Sequence, residues 1–315
     1  MPARERAQEK TRGEVALSSP DKVLWPQAGF TKRDLADYYE AAADRLLPWL
    51  RERPLTLKVF ARGVAQDGFF MKNAPKHTPD WIATERVWSP SADRDVDYLL
   101  VRTPRDLRWL AQQNAVELHP WFSRVDNPDK PDLVAFDLDP GGEDPPVWRA
   151  ALWLREVLDE LGIASMVKTS GKRGLHVYVP VERRYDHPYL RGLTLGISQA
   201  VADRHPDQLT TEMRKERREG RLLMDWSRPG PAQTLVAAWS PRAHPAGTVS
   251  MPLAWDEVGP DLDVSAFTLR TAPARPDHWA EPLPPQRLEK AREQLCGAGY
   301  ACEDRNPRGD ATRKR

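Results

Sequence analysis

The chain has 315 residues, of which 40% are hydrophobic and 30% are charged, a balance typical of a globular protein. Its 47 Lys and Arg nearly balance its 46 Asp and Glu, which excludes a uniformly basic surface, so any nucleic-acid-binding surface must be local. The only two cysteines, Cys296 and Cys302, exclude a disulfide framework and a four-cysteine zinc site. We expect both to be reduced thiols, although one disulfide could join them.

The N-terminal sequence and the hydropathy of the chain indicate the cellular location of the protein. The first twelve residues are charged and contain no apolar segment, so we expect no secretory signal. No apolar run reaches the roughly 18 residues that a membrane-spanning helix needs, so we expect a cytoplasmic protein without membrane contact. We expect residues 1–16 and 296–315 to be disordered.

The N-terminal third predicts alternating helices and strands. Thr31 and Asp34 form a capping-box pattern for a helix over 32–47 that ends at Pro48. Thr103 and Pro104 indicate the start of a second helix. Strands are predicted over residues 55–60, 68–73, 97–101 and 116–119.

The predicted strand over 68–73 carries Phe69 and Phe70 next to Lys72. Exposed aromatic rings beside a cation form a surface on which nucleic-acid bases stack. Because neighbouring residues of a strand face opposite sides, we expect at least one of the two rings to be in the core.

The sequence from Val134 to Pro140 alternates apolar and acidic residues. This pattern predicts a strand with Phe136 and Leu138 on one face and Asp137 and Asp139 on the other. Two carboxylates on one face suit a divalent cation, which prefers oxygen ligands. The alternative is an edge strand with a solvated acidic face.

A helix over 147–161 and a strand over 163–168 follow, which predicts a β-α-β unit with parallel strands. The segment 169–174 then contains two glycines, a serine and two cations, a composition typical of a turn whose amides bind phosphate. The next strand places His176 beside this turn. A solvated hairpin turn is the alternative.

The run 212–221 contains five cations and three acids. Such a run forms either a solvated loop or a surface that grips a nucleic-acid backbone. It precedes a predicted strand, 222–226, that places Asp225 in apolar surroundings, where an unpaired charge is costly. Another strand is predicted over 232–239, and helices over 187–203 and 285–295.

Three strand-borne acids, Asp137, Asp139 and Asp225, are the residue type that two-metal nucleotidyl transfer requires. Two Mg²⁺ or Mn²⁺ ions would activate the attacking hydroxyl and stabilise the leaving oxygen, while Lys172 and Arg242 would offset triphosphate charge. Zinc is disfavoured because clusters of cysteine and histidine are lacking.

Three blocks of sequence resemble the archaeo-eukaryotic primase superfamily, and most closely the polymerase/primase domain of bacterial ATP-dependent DNA ligase D. They are V-A-F-D-L-D-P, S-G-K-R-G-L-H-V-Y-V-P, and M-D-W-S followed by W-S-P-R-A and V-S-M-P-L-A-W-D-E-V. The resemblance implies an α/β primase-polymerase domain over 17–295. It would have an N-terminal α/β module over about 17–120 and a catalytic module with an RRM-like sheet over about 121–295.

The resemblance also implies roles for individual residues. Asp137, Asp139 and Asp225 match metal-binding, catalytic acids. The positions implied to bind nucleotide are Ser170, Lys172, Gly174, His176, Arg242, Lys72, His119, Phe69 and Phe70. Lys22 matches a lysine that reads a downstream 5′-phosphate. The basic loop implied to contact DNA ends contains Arg214, Lys215, Arg217, Arg218 and Arg221.

Three positions depart from the family pattern. Arg228-Pro229 stands where a Gln-Asn pair is common, and Gln233 stands where Lys or Arg precedes Thr. These changes predict weaker triphosphate binding, for which Arg228 could compensate.

The implied function is DNA-directed extension of 3′-hydroxyl ends at gaps or double-strand breaks in non-homologous end joining. The resemblance implies Mn²⁺ and ribonucleoside triphosphates as preferred cofactor and substrate. It implies DNA with a 5′-phosphate, Ku and an ATP-dependent ligase as partners, and a nucleoid-associated location. We see no ligase or phosphoesterase sequence, so a stand-alone polymerase or an excised domain is expected. The alternatives are a non-catalytic end-binding or synapsis module of the same fold and a metal-dependent nuclease.

Overall fold

The computed structural model describes residues 15–89, 93–140 and 146–306. The chain divides into two compact units. The first contains the chain up to Pro120 together with Val236–Val249 and Ser265–Arg275, and the second contains the remainder. Both units combine helices with strands, so the α/β class expected from the sequence is confirmed. The expectations for residues 1–14, 141–145 and 307–315 lie outside the described residues.

The first unit has strands β1 to β7 and helices α1 to α3. Their bounds are Val23–Trp25 (β1), Phe30–Thr31 (β2), Lys32–Ala41 (α1), Ala43–Leu50 (α2), Leu55–Val59 (β3), Phe69–Met71 (β4), Ala83–Ser89 (β5), Arg94–Leu100 (β6), Pro104–Gln112 (α3) and Ala115–Pro120 (β7). Strands β1 and β2 pair as a ribbon, whereas β4-β3-β6-β5 form a sheet in which β7 also pairs with β3.

The first helices begin where the sequence predicts. Thr31 and Asp34 form the predicted capping box, and Thr103 caps α3 with Pro104 in its first turn. The prediction of one helix over 32–47 was wrong. The helix is interrupted at Ala42, which has φ −95° and ψ 0° and separates α1 from α2. Pro48 lies inside the second helix and does not end the first.

The second unit contains a six-stranded sheet of order β11-β12-β8-β10-β9-β13. Its elements are Leu133–Asp139 (β8), Val147–Glu160 (α4), Met166–Thr169 (β9), Leu175–Pro180 (β10), His187–Arg204 (α5), Leu209–Thr210 (β11), Leu222–Asp225 (β12), Pro252–Leu253 (β13) and Glu289–Gly297 (α6). Strands β8 and β9 are both antiparallel to β10, which lies between them. They are therefore parallel to each other, as the predicted β-α-β unit requires.

The predicted strand over 232–239 is not formed, and that prediction was wrong. Ala232 and Trp239 have positive φ angles of 57° and 64°, which a continuous strand does not allow. The segment is held instead by isolated hydrogen bonds, such as the one that the Ala237 amide donates to the Leu118 carbonyl oxygen.

The expectation of reduced thiols was also wrong, because Cys296 and Cys302 form a disulfide. The turn that follows helix α6 brings their Cα atoms to 5.4 Å, within the normal range for such a bond. In the part of the chain that the structure describes, we find no helix with the length and hydropathy needed to cross a membrane.

Candidate active site

Three predicted site residues lie in one row across neighbouring strands of the second unit. Asp225 on β12 is the register partner of Asp137 on β8, and Asp137 is the partner of His176 on β10. Directly paired residues of antiparallel strands project from the same face of a sheet. The six-stranded sheet therefore gathers residues that are 88 positions apart (225 − 137) into one polar row.

The side chains of this row contact one another. His176 Nε2 lies 3.3 Å from Asp137 Oδ1. Arg228 Nη2 donates to Asp137 Oδ2 at 2.6 Å, and Arg228 Nε lies 2.9 Å from Asp225 Oδ2. The arginine that departs from the family pattern thus stands between the two carboxylates and supplies positive charge to both.

The contacts of Asp137 keep its carboxylate ionised. Burial acts to raise its pKa, but the hydrogen bond from His176 and the positive charges of Arg228 and Lys168 outweigh burial. The pKa of Asp137 is therefore held well below its usual range. An ionised carboxylate at neutral pH is the form that binds a cation.

The carboxylate oxygens of the polar row suit a divalent cation. Asp137 and Asp225 are hard oxygen ligands, directly opposed in register, and they already share one cationic group, so they fit Mg²⁺ or Mn²⁺. Asp139 lies at the end of β8, opposite Leu223, but its side chain is outside the described residues. Among the residues that are described, no group of three or more His, Cys, Asp or Glu side chains forms a metal site.

The glycine-containing turn beside His176 is ordered by Ser170. The amides of Lys172 and Gly174 donate to Ser170 Oγ at 3.2 and 3.0 Å, so these two amides point into the turn. A Cβ at Gly174 would lie 2.6 Å from the Leu138 carbonyl oxygen, which explains why this position has no side chain. The Lys172 side chain is exposed.

In the first unit, His119 and Arg242 meet at a buried acid that sequence reasoning did not single out. Glu117 lies 3.2 Å from His119 Nε2 and 3.4 Å from Arg242 Nε, and its Oε1 accepts from the Ala243 amide at 3.0 Å. Burial acts to raise the pKa of Glu117, but these partners hold it well below its usual range. The alternation V-E-L-H, which puts Glu117 and His119 on one face of β7, was the available signal.

We expect Glu117→Gln to lower the free energy of unfolding by about 2 kcal/mol at pH 7, because it removes the buried negative charge that faces Arg242 and His119. The lowered pKa makes the wild-type stabilisation complete above the ordinary glutamate pKa of ~4.3, and it is lost as the pH falls below that value. Urea unfolding should show the difference shrinking by more than half at about pH 3. The surface variant Glu52→Gln, which loses an exposed pair with Arg102, should change stability by less than about 1 kcal/mol. A pH-independent deficit in Glu117→Gln would contradict the assignment.

Both predicted stacking phenylalanines are exposed. Phe69 is 54% and Phe70 59% exposed, so the expectation that one ring would be in the core was wrong. Strand β4 is an edge strand of only three residues, so both rings remain more than half exposed. The Phe70 ring lies 5.7 Å from the His119 ring and 5.3 Å from Lys58 Nζ. Lys72 is also exposed.

The basic loop of the second unit divides into two groups. Arg218 donates to the carbonyl oxygens of Glu212 and Met213, and Arg221 donates to that of Arg218, so these two guanidinium groups bind their own loop. The side chains of Arg214, Lys215 and Arg217 are exposed. In the first unit, Lys22 Nζ donates to the Ala61 carbonyl oxygen at 2.5 Å.

Comparison with known proteins decides the family. Residues 31–283 match the family model described as the LigD primase-polymerase domain. The chain belongs to this family. Members are primase-polymerases, which are nucleotidyltransferases, so the family, fold class and enzyme class expected from the sequence are confirmed.

Relatives of this LigD-type domain come from several bacteria. This chain is 33% identical over 253 residues to the multifunctional non-homologous end joining protein LigD of Mycolicibacterium smegmatis. The match covers 79% of this chain and 33% of that protein. The chain is 30% identical over 297 residues to the LigD of Pseudomonas aeruginosa, covering 90% of this chain and 35% of that protein. The chain thus spans about a third of the length of these relatives.

A solved structure supports the same family. The polymerase domain of Mycobacterium tuberculosis ligase D in complex with DNA matches with a TM-score of 0.78 at 30% identity. The match covers 84% of this chain and 94% of that one. The architecture described above is therefore that of the LigD polymerase domain.

Proposed function

We propose that this chain is a DNA-directed nucleotidyltransferase that adds nucleotides, with ribonucleotides preferred, to 3′-hydroxyl ends at gaps or double-strand breaks in non-homologous end joining. The observation that carries the proposal is the row of Asp225, Asp137 and His176 on adjacent strands of a LigD-type polymerase domain. We further propose that residues 17–295 form the primase-polymerase domain, that DNA with a 5′-phosphate is its substrate, and that Ku and an ATP-dependent ligase are its partners.

The second unit would perform the chemistry. We propose that Asp137, Asp139 and Asp225 hold two Mg²⁺ or Mn²⁺ ions. Bound divalent ions supply Lewis-acid activation of the attacking hydroxyl and charge stabilisation at the leaving phosphate. Because its pKa is low, Asp137 is negatively charged at neutral pH, which is the form that binds a cation. Ser170, Lys172, Gly174 and His176 would bind the triphosphate, with His176 held beside Asp137.

The proposed contacts of the first unit are with base and nucleic-acid backbone. Phe69 and Phe70 would stack on a base, because both rings are exposed and Phe70 lies within reach of the Lys58 cation. Lys72, His119 and Arg242 would contact nucleotide, and Lys22 the 5′-phosphate. In the second unit, the loop proposed to bind DNA ends has three exposed cations, Arg214, Lys215 and Arg217. Arg218 and Arg221 would contribute by stabilising the conformation of this loop through hydrogen bonds to its backbone.

A primer-extension assay tests the proposal. The substrate is a labelled primer on a gapped duplex with a downstream 5′-phosphate, supplied with Mn²⁺ or Mg²⁺ and with ribo- or deoxyribonucleoside triphosphates. We expect template-directed lengthening with Mn²⁺ and ribonucleotides preferred. Binding without lengthening would instead assign a non-catalytic end-binding module, and shortening of the primer would assign a nuclease.

The exposed phenylalanines give a test of DNA binding that is separate from stability. The double variant Phe69→Ala/Phe70→Ala should weaken binding to a single-stranded template overhang about 10- to 100-fold, because stacking contributes roughly 1–3 kcal/mol per base. Its melting temperature should stay near that of the wild type, since both rings are exposed. Trp88→Ala, which removes another exposed aromatic residue of the same unit, is the matched control and should bind normally. Unchanged binding by the double variant would remove these rings from the proposed site.

A further inference from the structure

Lys168 is a fully buried lysine in the centre of strand β9, with 0% of its surface exposed. Its Nζ donates to Ser250 Oγ at 2.6 Å and lies 2.9 Å from His176 Nδ1. Burying an ammonium group is costly unless it is fully engaged by partners, so its position next to His176 calls for a physical explanation.

Sheet register places Lys168 in the polar row of the active site. It is the partner of His176, which is the partner of Asp137, which is the partner of Asp225. The row thus continues across four adjacent strands, with Lys168 behind His176 as seen from the acids. His176 has one ring nitrogen directed at each neighbour, Nδ1 at Lys168 and Nε2 at Asp137.

With Lys168 as an ammonium group, the hydrogen bonds of this row can have only one direction. The Ser250 hydroxyl has one proton, which it donates to the Thr169 carbonyl oxygen at 2.7 Å, so Ser250 Oγ accepts from Lys168. An ammonium group only donates, so His176 Nδ1 accepts as well. A neutral imidazole then carries its proton on Nε2, which lies 3.3 Å from the acceptor Asp137 Oδ1.

We propose that Lys168 is a positioning residue that holds His176 as the Nε2-protonated tautomer. Its effect is that His176 presents a donor, and not an acceptor, to Asp137 and to the phosphate groups proposed to bind beside it. Only this last consequence depends on the proposed function, whereas the tautomer is a property of the free protein.

The tautomer is measured directly by NMR on protein labelled with ¹⁵N in histidine. Spectra are recorded at about pH 8, above the ordinary pKa of histidine, and the His176 signals are identified by their loss in His176→Gln. We expect the wild type to show Nε2 protonated and Nδ1 unprotonated. Lys168→Met, which keeps an unbranched apolar side chain and removes the Nζ donor, should populate the Nδ1-protonated form. Lys290→Met, an exposed lysine of helix α6, is the matched control and should leave the signals unchanged.

Where Lys168→Met does not fold, the wild-type spectrum still tests the proposal, and Ser250→Ala, which keeps the lysine, should show the same Nε2-protonated tautomer as the wild type. A wild-type His176 protonated on Nδ1 would overturn the proposal. A folded Lys168→Met with an unchanged tautomer would also overturn it.

A kinetic readout separates positioning from packing. In primer extension, Lys168→Met should raise the KM for the nucleoside triphosphate about tenfold, with a smaller change in kcat, because it disturbs a residue that supports a ligand contact. Equal losses of extension at all triphosphate concentrations would assign Lys168 a structural role only. If the wild type extends no primer, the proposed function fails, while the NMR result still decides the tautomer.

Discussion

Asp137→Asn is expected to reduce primer extension at least about 100-fold, because it removes the central carboxylate of the polar row. The asparagine oxygen still accepts one hydrogen bond, from His176 or from Arg228, so the fold should be retained. DNA binding should also be retained, since the substitution removes a negative charge and no cation. The measurement is the initial rate of extension on the gapped duplex with Mn²⁺, beside the Kd for the same duplex without triphosphate.

The matched control for this variant is Glu160→Gln. It also removes one carboxylate from the second unit, but Glu160 pairs with Arg204 at the surface. Its rate should remain within about twofold of the wild type, because exposed ion pairs contribute little. Extension by Asp137→Asn at the rate of this control would remove Asp137 from the catalytic residues.

The elements that local pattern specifies were predictable from the sequence. The capping box at Thr31, the helix start at Pro104 and the alternation that defines β8 each depend on residues only a few positions apart. The two wrong predictions of secondary structure, the single helix over 32–47 and the strand over 232–239, have a different origin. The break at Ala42 and the left-handed conformation at Trp239 depend on tertiary packing, which short-range periodicity does not encode.

The site itself was predictable only in part. The motif blocks identified Asp137, Asp225 and His176, but their common row follows from the strand order β12-β8-β10, which periodicity alone does not specify. Lys168 and Glu117 were missed because each looks like an ordinary charge within a strand. Sheet register is what pairs Lys168 with His176. Glu117 lies two positions before His119 on the same strand, so the alternation along β7 already indicated that the two share a face.

Arg228→Ala is expected to destabilise the metal-free protein by about 2 kcal/mol at neutral pH. Arg228 bonds Asp137 and lies beside Asp225, and its loss leaves two opposed carboxylates without that positive charge. The arginine side chain is 28% exposed, so we place the effect below the 3–5 kcal/mol typical of a fully buried pair.

Addition of Mn²⁺ should reverse this loss, because a divalent ion between Asp137 and Asp225 would supply the charge that the guanidinium group provides in the wild type. Thermal unfolding in the presence of a chelator and then of increasing MnCl₂ should therefore show a larger rise in Tm for Arg228→Ala than for the wild type. Arg204→Gln, which breaks the exposed pair with Glu160, should match the wild type with and without Mn²⁺. An equal rise in Tm for all three proteins would mean that Arg228 and the metal do not compete for the same carboxylates. The two acids would then lose their support as a shared cation site, since the guanidinium group is the cation that the structure places between them.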